Sequence, residues 1–547
     1  MGNDRRTRPV GPRVSADTTA PSAPAPAGPP SREAAAPAAA LPTVLPTVQG
    51  VGFRSERGPV LAALMLCTGL VAIDSTIIAT AVPSVVGDLG GFSQFPWLFS
   101  IYLLTQAVTV PLYGKFADTF GRKPVMFFGI AVFLLGSVLC GAAWSMPALI
   151  VSRGLQGIGA GAVQPIAITM VGDMYTVEER SKVQGYLAAV WGAASVLGPT
   201  LGGVFSEYLS WRWIFFVNIP LGAIAVTVLA RHFTEKVQRS KHRVDYTGAS
   251  LLAAGCSLLI LGLLEGGVSW AWASPTSLAI FVASAAALVS FVLVERRAAE
   301  PVLPLWVFRY RVLNGANVVA LGIGVLIIGL SSYIPTYVQG VLHHGPLVAG
   351  FALATLTVGW PITATFSGRI YLRVGFRDTA LIGGVIVVVG TVLVSLVGAT
   401  TPVWQVGGAC LVVGLGLGLT ASPIIVAVQS VVGWGQRGVV TGTNLFARSM
   451  GSAVGAAVFG AVANSVLADR FAHPSAAVAG KLPDSVDATS LVLGKVTDPA
   501  SPVIAFVRNA LFDAAHDVFL SLVVVAVLGG LAVLLMPRRT TPLDLES

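Results

Sequence analysis

The chain is 547 residues long, 54% hydrophobic and only 11% charged, against roughly 25% charged residues in a soluble domain. That excludes a water-soluble enzyme, and the absence of any period in the glycines and prolines excludes a collagen-like chain. A polytopic membrane protein is what remains.

Residues 1–57 begin with a Pro/Ala-rich tail holding ten prolines between Pro9 and Pro46. It has no apolar stretch before a cleavage site, so it does not read as a signal peptide, and it is expected to be disordered because it cannot bury a core. From Gly58 on, apolar stretches of the length that crosses a bilayer alternate with short polar turns. The pattern predicts fourteen helical spans, at 60–83, 97–116, 124–143, 147–170, 183–206, 212–231, 246–266, 277–295, 313–335, 347–370, 378–399, 404–425, 439–462 and 516–536. Most are apolar on every face, as lipid-spanning helices are. A long outer loop, 464–515, reads as a surface cap whose last part has an amphipathic helical pattern.

The basic residues follow the map. With both termini cytoplasmic, 27 of the 34 Lys and Arg fall inside, five fall outside, and two (Arg153 and Arg448) sit within spans. This is the positive-inside distribution, and seven of eleven Trp fall at the outer ends as interfacial anchors. The formal charge of +9 is therefore topology rather than a sign of nucleic-acid binding. The four cysteines (Cys67, Cys140, Cys256, Cys410) lie inside apolar runs with no CxxC, which suggests neither disulfides nor a metal site.

Of the 25 acidic residues only Asp74 lies deep in a span. A carboxylate there is costly unless paired, hydrated or protonated, which makes it a candidate proton carrier. Arg153 and Arg448 are the only intramembrane cations and must face an aqueous cavity or a partner, so an Asp74–Arg pairing that shifts is one reading and hydrogen bonding of each Arg to carbonyls is the other. No histidine lies mid-span, which disfavours a histidine relay.

The loop after the second span runs Gly114-Lys-Phe-Ala-Asp118-Thr-Phe-Gly121-Arg122-Lys123. Its glycines permit close helix approach, and Asp118 beside cations suits a cytoplasmic gate latch. A second copy, Gly368 to Arg377, follows the tenth span with Leu372 in place of Asp118, so its latch should be weaker. The fourth span carries Arg153-Gly-Leu-Gln156-Gly157, and the fifth carries Gly198-Pro199-Thr-Leu-Gly202-Gly203, where small residues allow backbone contact and the proline bends the helix. Trp211 to Gly222, which includes Asn218, follows directly outside.

Together these blocks resemble the major facilitator superfamily and, within it, the 14-span drug:proton antiporter branch, over about residues 58–537. Asp74 to Pro83 is similar to that branch's first-helix motif, Gly114 to Lys123 to the superfamily's loop motif, Arg153 with Gln156 and Gly157 to its fourth-helix motif, and Gly198, Pro199, Gly202 and Gly203 to the antiporter motif. Trp211 to Gly222 and Thr441 to Gly451 also resemble the branch. The resemblance implies that Asp74 and Arg448 are coupling residues, Arg153 a proton-path residue and Asp118 a gate residue. An all-α major-facilitator fold is expected, with six-helix bundles at 58–231 and 311–537, two inserted packing helices within 232–310, and a cytoplasmic tail at 538–547.

The function expected is export of amphipathic or cationic small molecules in exchange for protons, driven by the proton gradient without cofactor or metal, by a monomer in a plasma-type inner membrane. Gln106, Gln164, Trp191, Trp360, Gln429 and Asn444 are candidates to line the cavity or to bond between helices. Export of a dedicated endogenous metabolite, siderophore or lipid is the alternative, and a membrane sensor or scaffold is the non-transport one. No HExxH, no Ser/His/Asp grouping and no GxxxxGK loop is present, which argues against an enzyme or an ATP-driven pump.

Overall fold

The structure is a computed structural model that describes residues 51–90, 97–235, 245–267, 269–298, 301–474, 478 and 502–540. The reading of residues 1–50 as disordered, most of the outer loop and several basic loop residues, such as Lys241 and Lys481, lie outside these.

The described chain is helical apart from turns and one isolated β-bridge between Gly266 and Trp270. The long helices are α1 (Gly58–Leu89), α2 (Trp97–Phe120), α3 (Arg122–Gly141), α4 (Met146–Met174), α5 (Val177–Tyr208), α6 (Trp213–His232), α7 (Tyr246–Glu265) and α8 (Pro275–Glu295). They continue with α9 (Arg311–Gly340), α10 (Pro346–Val374), α11 (Phe376–Ser395), α12 (Val403–Ser430), α13 (Arg437–Ala472) and α14 (Pro502–Val533). Among the described residues, 13 helices are long and apolar enough to cross a membrane. The remaining long helix, α2, is diluted by Thr105, Gln106 and Thr109. The amphipathic segment after residue 502 is continuous with the last span, because nothing in Pro502–Val533 breaks the helix after its opening proline.

Local signals explain where the helices begin. Pro59, Pro147 and Pro275 stand in the first turns of α1, α4 and α8, where a missing N–H costs nothing. Thr176 and Glu179 form a reciprocal capping box at the start of α5, with the Glu179 carboxylate accepting from Thr176 N at 3.0 Å. Gly121 separates α2 from α3 at φ 96°, a left-handed conformation that glycine adopts without a side-chain clash.

The same pairings occur twice along the chain. α1 packs on α5, α2 on α4 and α3 on α4; α9 packs on α13, α10 on α12 and α11 on α12. α1–α6 lie between Gly58 and His232, and α9–α14 between Arg311 and Val533. The two sets meet at α2 with α13 and at α5 with α10. Backbones touch at the first seam, where a Cβ on Gly114 would lie 2.5 Å from the Gly438 carbonyl oxygen. The inserted helices α7 and α8 form a hairpin in which Ser284 donates to Gly255 O at 2.8 Å. α7 packs against both α2 and α13, across that seam.

Candidate functional site

Asp74 stands in the interior of α1, and four other helices close around it. Arg153 of α4 donates through Nη1 to Asp74 Oδ2 at 2.6 Å, and Gln156, one turn further on, donates through Nε2 to Asp74 Oδ1 at 2.7 Å. Asn218 of α6 donates to the same Oδ1 at 3.0 Å. Ser137 Oγ of α3 accepts from both amides, at 2.7 Å from Gln156 and 3.2 Å from Asn218. Arg153 also donates to Gln156 Oε1 at 2.7 Å, and its guanidinium lies over the Tyr102 ring of α2, 4.1 Å from the centroid. All six side chains are buried.

Chemically the cluster is a carboxylate neutralised by one cation and held by two amide donors. In a low-dielectric interior such a pair persists only when its remaining hydrogen-bonding groups are satisfied, and removing one partner strands the other. Two atoms remain without a partner among the described residues, the Tyr102 hydroxyl and Asn218 Oδ1. Protonating Asp74 would remove the charge that holds Arg153, so a proton on this one atom bears on contacts among five helices.

The second constellation sits at the end of the α2/α13 seam where α2 finishes and α13 begins. Both oxygens of Asp118 accept backbone N–H bonds from the first turn of α13, from Gly438 at 2.9 Å and Val439 at 2.8 Å. A helix N-terminus favours an anion because its first N–H groups lack intrahelical partners. Arg122 then binds Asp118 at 3.1 Å and Asp173 of α4 at 2.8 Å, donates to Trp434 O at 2.6 Å and lies 3.7 Å over the Trp434 ring. Arg437 reaches Asp173 at 3.0 Å from the opposite side. Lys123 points elsewhere, donating to the carbonyls of Ala230 and Phe233 at 3.0 and 2.6 Å, which ties α3 to the end of α6.

Helix packing alone is common to many membrane proteins; the match over the chain is decisive. Residues 64–456 match the Major Facilitator Superfamily. The chain belongs to that superfamily. It is 31% identical over 490 residues to the Multidrug transporter protein MdtP of Bacillus subtilis, covering 86% of this chain and 91% of that protein. It is 35% identical over 412 residues to Multidrug resistance protein 3 of the same organism, covering 75% and 80%. The crystal structure of the human organic anion transporter MFSD10 shares the fold, with a TM-score of 0.59 at 16% identity over 87% of this chain and 99% of that one. The protein is thus a membrane-embedded transporter of small molecules by the superfamily's fold, and not an enzyme.

Within this major-facilitator framework the other sequence candidates separate. Gly198 packs on α1 just past Asp74, where a Cβ would overlap Thr76, and Thr76 donates to Ala194 O at 3.0 Å. Gly202 is buried, whereas a Cβ on Gly203 would meet nothing within 4 Å. The side chain of Pro199 lies outside the described set. Gln429 and Asn444 are buried interhelical bonding residues: Gln429 donates to Ile168 O and Thr441 Oγ1 at 3.1 and 3.0 Å, and Asn444 to Ala316 O at 3.1 Å. Gln106, Gln164, Trp191 and Trp360 are half-buried. Arg448 is not joined to Asp74, whose cation is Arg153.

In the second loop motif Leu372 is exposed, and the neighbouring Tyr371 donates its hydroxyl to the Val177 carbonyl at the start of α5. This seam therefore has a neutral tie where the first has a charged one. Asn218, Ser137 and Tyr102 were not among the site candidates. Asn218 carried a signal, an amide within the apolar run Phe215–Gly222, while Ser137 and Tyr102 carried none. Before α6, Arg212 donates to Asp88 at 2.7 Å and Trp211 donates to it at 3.1 Å, which makes the Trp211 block a brace between α6 and the end of α1.

Proposed function

We propose that the protein is a proton-coupled exporter of amphipathic small molecules, of the 14-span drug:proton antiporter kind, working as a monomer in a plasma-type inner membrane with both termini cytoplasmic. The observation that carries this reading is the buried Asp74–Arg153 pair, with Gln156 and Asn218 on the same carboxylate. A carboxylate at that depth, held by a single cation, can alternate between an ion pair and a neutral acid. The kinship with two proteins named for multidrug transport and resistance supports an exporter of foreign compounds.

In this mechanism the six-helix units 58–231 and 311–537 rock about the α2/α13 and α5/α10 seams, with 232–310 as an insert. With the Asp118 latch closed, Asp74 takes a proton from the outer side. Neutralising it loosens the hold on Arg153 and the helices around it. The latch then parts, the proton leaves inward, and substrate entering from the cytoplasm favours the deprotonated form. Gly114, Asp118, Gly121 and Arg122 serve the gate, Lys123 steadies α3, and Gly198, Pro199 and Gly202 let α5 follow α1, with Gly203 facing open space.

The test is uptake of a fluorescent amphiphile into inverted vesicles under an imposed pH gradient. Uptake should collapse on adding an uncoupler and in Asp74→Asn. Uncoupler-sensitive uptake that survives in Asp74→Asn would keep the exporter and reject this carrier.

A further inference from the structure

Two cations lie deep within the spans, away from their ends, and the structure treats them differently. Arg153 is neutralised by Asp74, and its guanidinium also meets the carbonyl of Leu98 at 3.4 Å and the ring of Tyr102. Arg448, on α13, has no ion-pair or hydrogen-bond partner for its guanidinium among the described residues. It lies deep in the helix bundle, yet part of its surface stays accessible. A charge facing hydrocarbon at that depth is not viable, so the accessible part opens on the interior between the helices.

The backbone beneath Arg448 is fixed. A Cβ on Gly324 of α9 would overlap the Arg448 carbonyl, and one on Gly451 would overlap that of Leu321, so α13 and α9 touch there main chain to main chain. Ser452 donates to Gly324 O at 3.1 Å, and Asn444, one turn before Arg448, donates to Ala316 O at 3.1 Å. The result is a rigid stem with a free head of five N–H donors and no acceptor. The one acid in the depth of the spans, Asp74, is already held by Arg153, Gln156 and Asn218.

From this we infer that Arg448 is the anchor of the substrate site and that the substrate presents an acidic oxygen group, a carboxylate or sulfonate, on an apolar body. A planar guanidinium matches such a group through two parallel hydrogen bonds. A cation without a counter-charge among the described residues, deep in the spans, suits a monoanionic amphiphile, and a lipophilic cation would meet repulsion at the same point. The inference rests on the exporter reading and narrows its amphipathic substrates to anionic ones.

The experiment compares two probes with one apolar body, 1-pyrenebutyrate and pyrenebutyl-trimethylammonium, binding to the full-length protein in nanodiscs without any gradient. Binding is read as saturable energy transfer from tryptophan to pyrene. Wild type should bind the carboxylate more tightly than the ammonium. Arg448→Gln should weaken carboxylate binding about ten- to hundred-fold, Arg448→Lys should weaken it less, and neither should weaken binding of the ammonium. Tighter binding of the ammonium by wild type, or unchanged carboxylate binding in a folded Arg448→Gln, would overturn the inference. If Arg448→Gln does not insert, the two-probe comparison on wild type decides alone. Carboxylate binding without proton-coupled uptake would reject the exporter reading and leave this one standing; proton-coupled uptake of the ammonium alone would do the reverse.

Discussion

Arg153 and Asp74 stand 79 residues apart in the chain and 2.6 Å apart in space, each with about 1% of its side chain exposed. Neither can be removed alone without leaving the other charged in an apolar interior. Asp74→Asn or Arg153→Gln should each destabilise by about 3–5 kcal/mol. The double variant should recover most of that loss while remaining inactive in transport. Thermal unfolding of the three purified variants checks this, and additive losses would show that the pair is not a unit.

The parts of this site that were legible in the sequence were the anomalous ones. Asp74 and Arg153 announce themselves as charges in apolar runs, and Gln156 comes with Arg153 in its motif. Ser137 and Tyr102 do not, since Ser and Tyr are ordinary in membrane helices and only the packing of α2 and α3 on α4 makes them neighbours of Asp74. Asp118 stands out in the sequence as an acid beside cations, but its partners include the main-chain N–H groups of Gly438 and Val439, which leave no mark in a side-chain pattern. Arg448 is visible in the sequence as a cation, and its lack of a counter-charge among the described residues is not, because spacing along a chain says nothing about what fails to approach. The span map fared well because hydropathy and length fix it directly.

Asp118→Asn removes the charge from a group that holds two α13 N–H bonds and one ion pair. A hydrogen bond to a charged group contributes about 1.5–3 kcal/mol, so the change should move the seam toward its open form by at least about tenfold. The readout is labelling of Val439→Cys, a position only 4% exposed, by a water-soluble maleimide added from the cytoplasmic side. All four native cysteines are buried, so background is low. Faster labelling in the Asp118→Asn background is expected.

Two glycines from the motif set should respond oppositely to alanine. Gly114→Ala forces a methyl to within 2.5 Å of the Gly438 carbonyl, and overpacking of this kind costs about 1–3 kcal/mol. It should abolish transport in a protein that still inserts. Gly203→Ala adds a methyl in open space within α5 and should be neutral or more stable by up to about 1 kcal/mol, with transport retained.

The brace between Arg212 and Asp88 carries a pH signature. Hydrogen bonds from Arg212 and Trp211 hold the Asp88 carboxyl below its ordinary value. A group lowered on folding contributes stability that is present above its unfolded pKa of about 3.9 and is lost as pH falls through the lower folded value. The melting-temperature difference between wild type and Asp88→Asn should stay constant from about pH 8 to pH 5 and close only below about pH 4. A difference that closes between pH 7 and 5 would contradict this.

Coupling through Asp74 is tested most directly by proton release from the purified protein in weakly buffered detergent solution when a transported amphiphile is added. Wild type should release protons in a saturable, substrate-dependent way. Asp74→Asn should release none while still binding the amphiphile. Equal release from folded Asp74→Asn would place the coupling proton elsewhere and contradict the account.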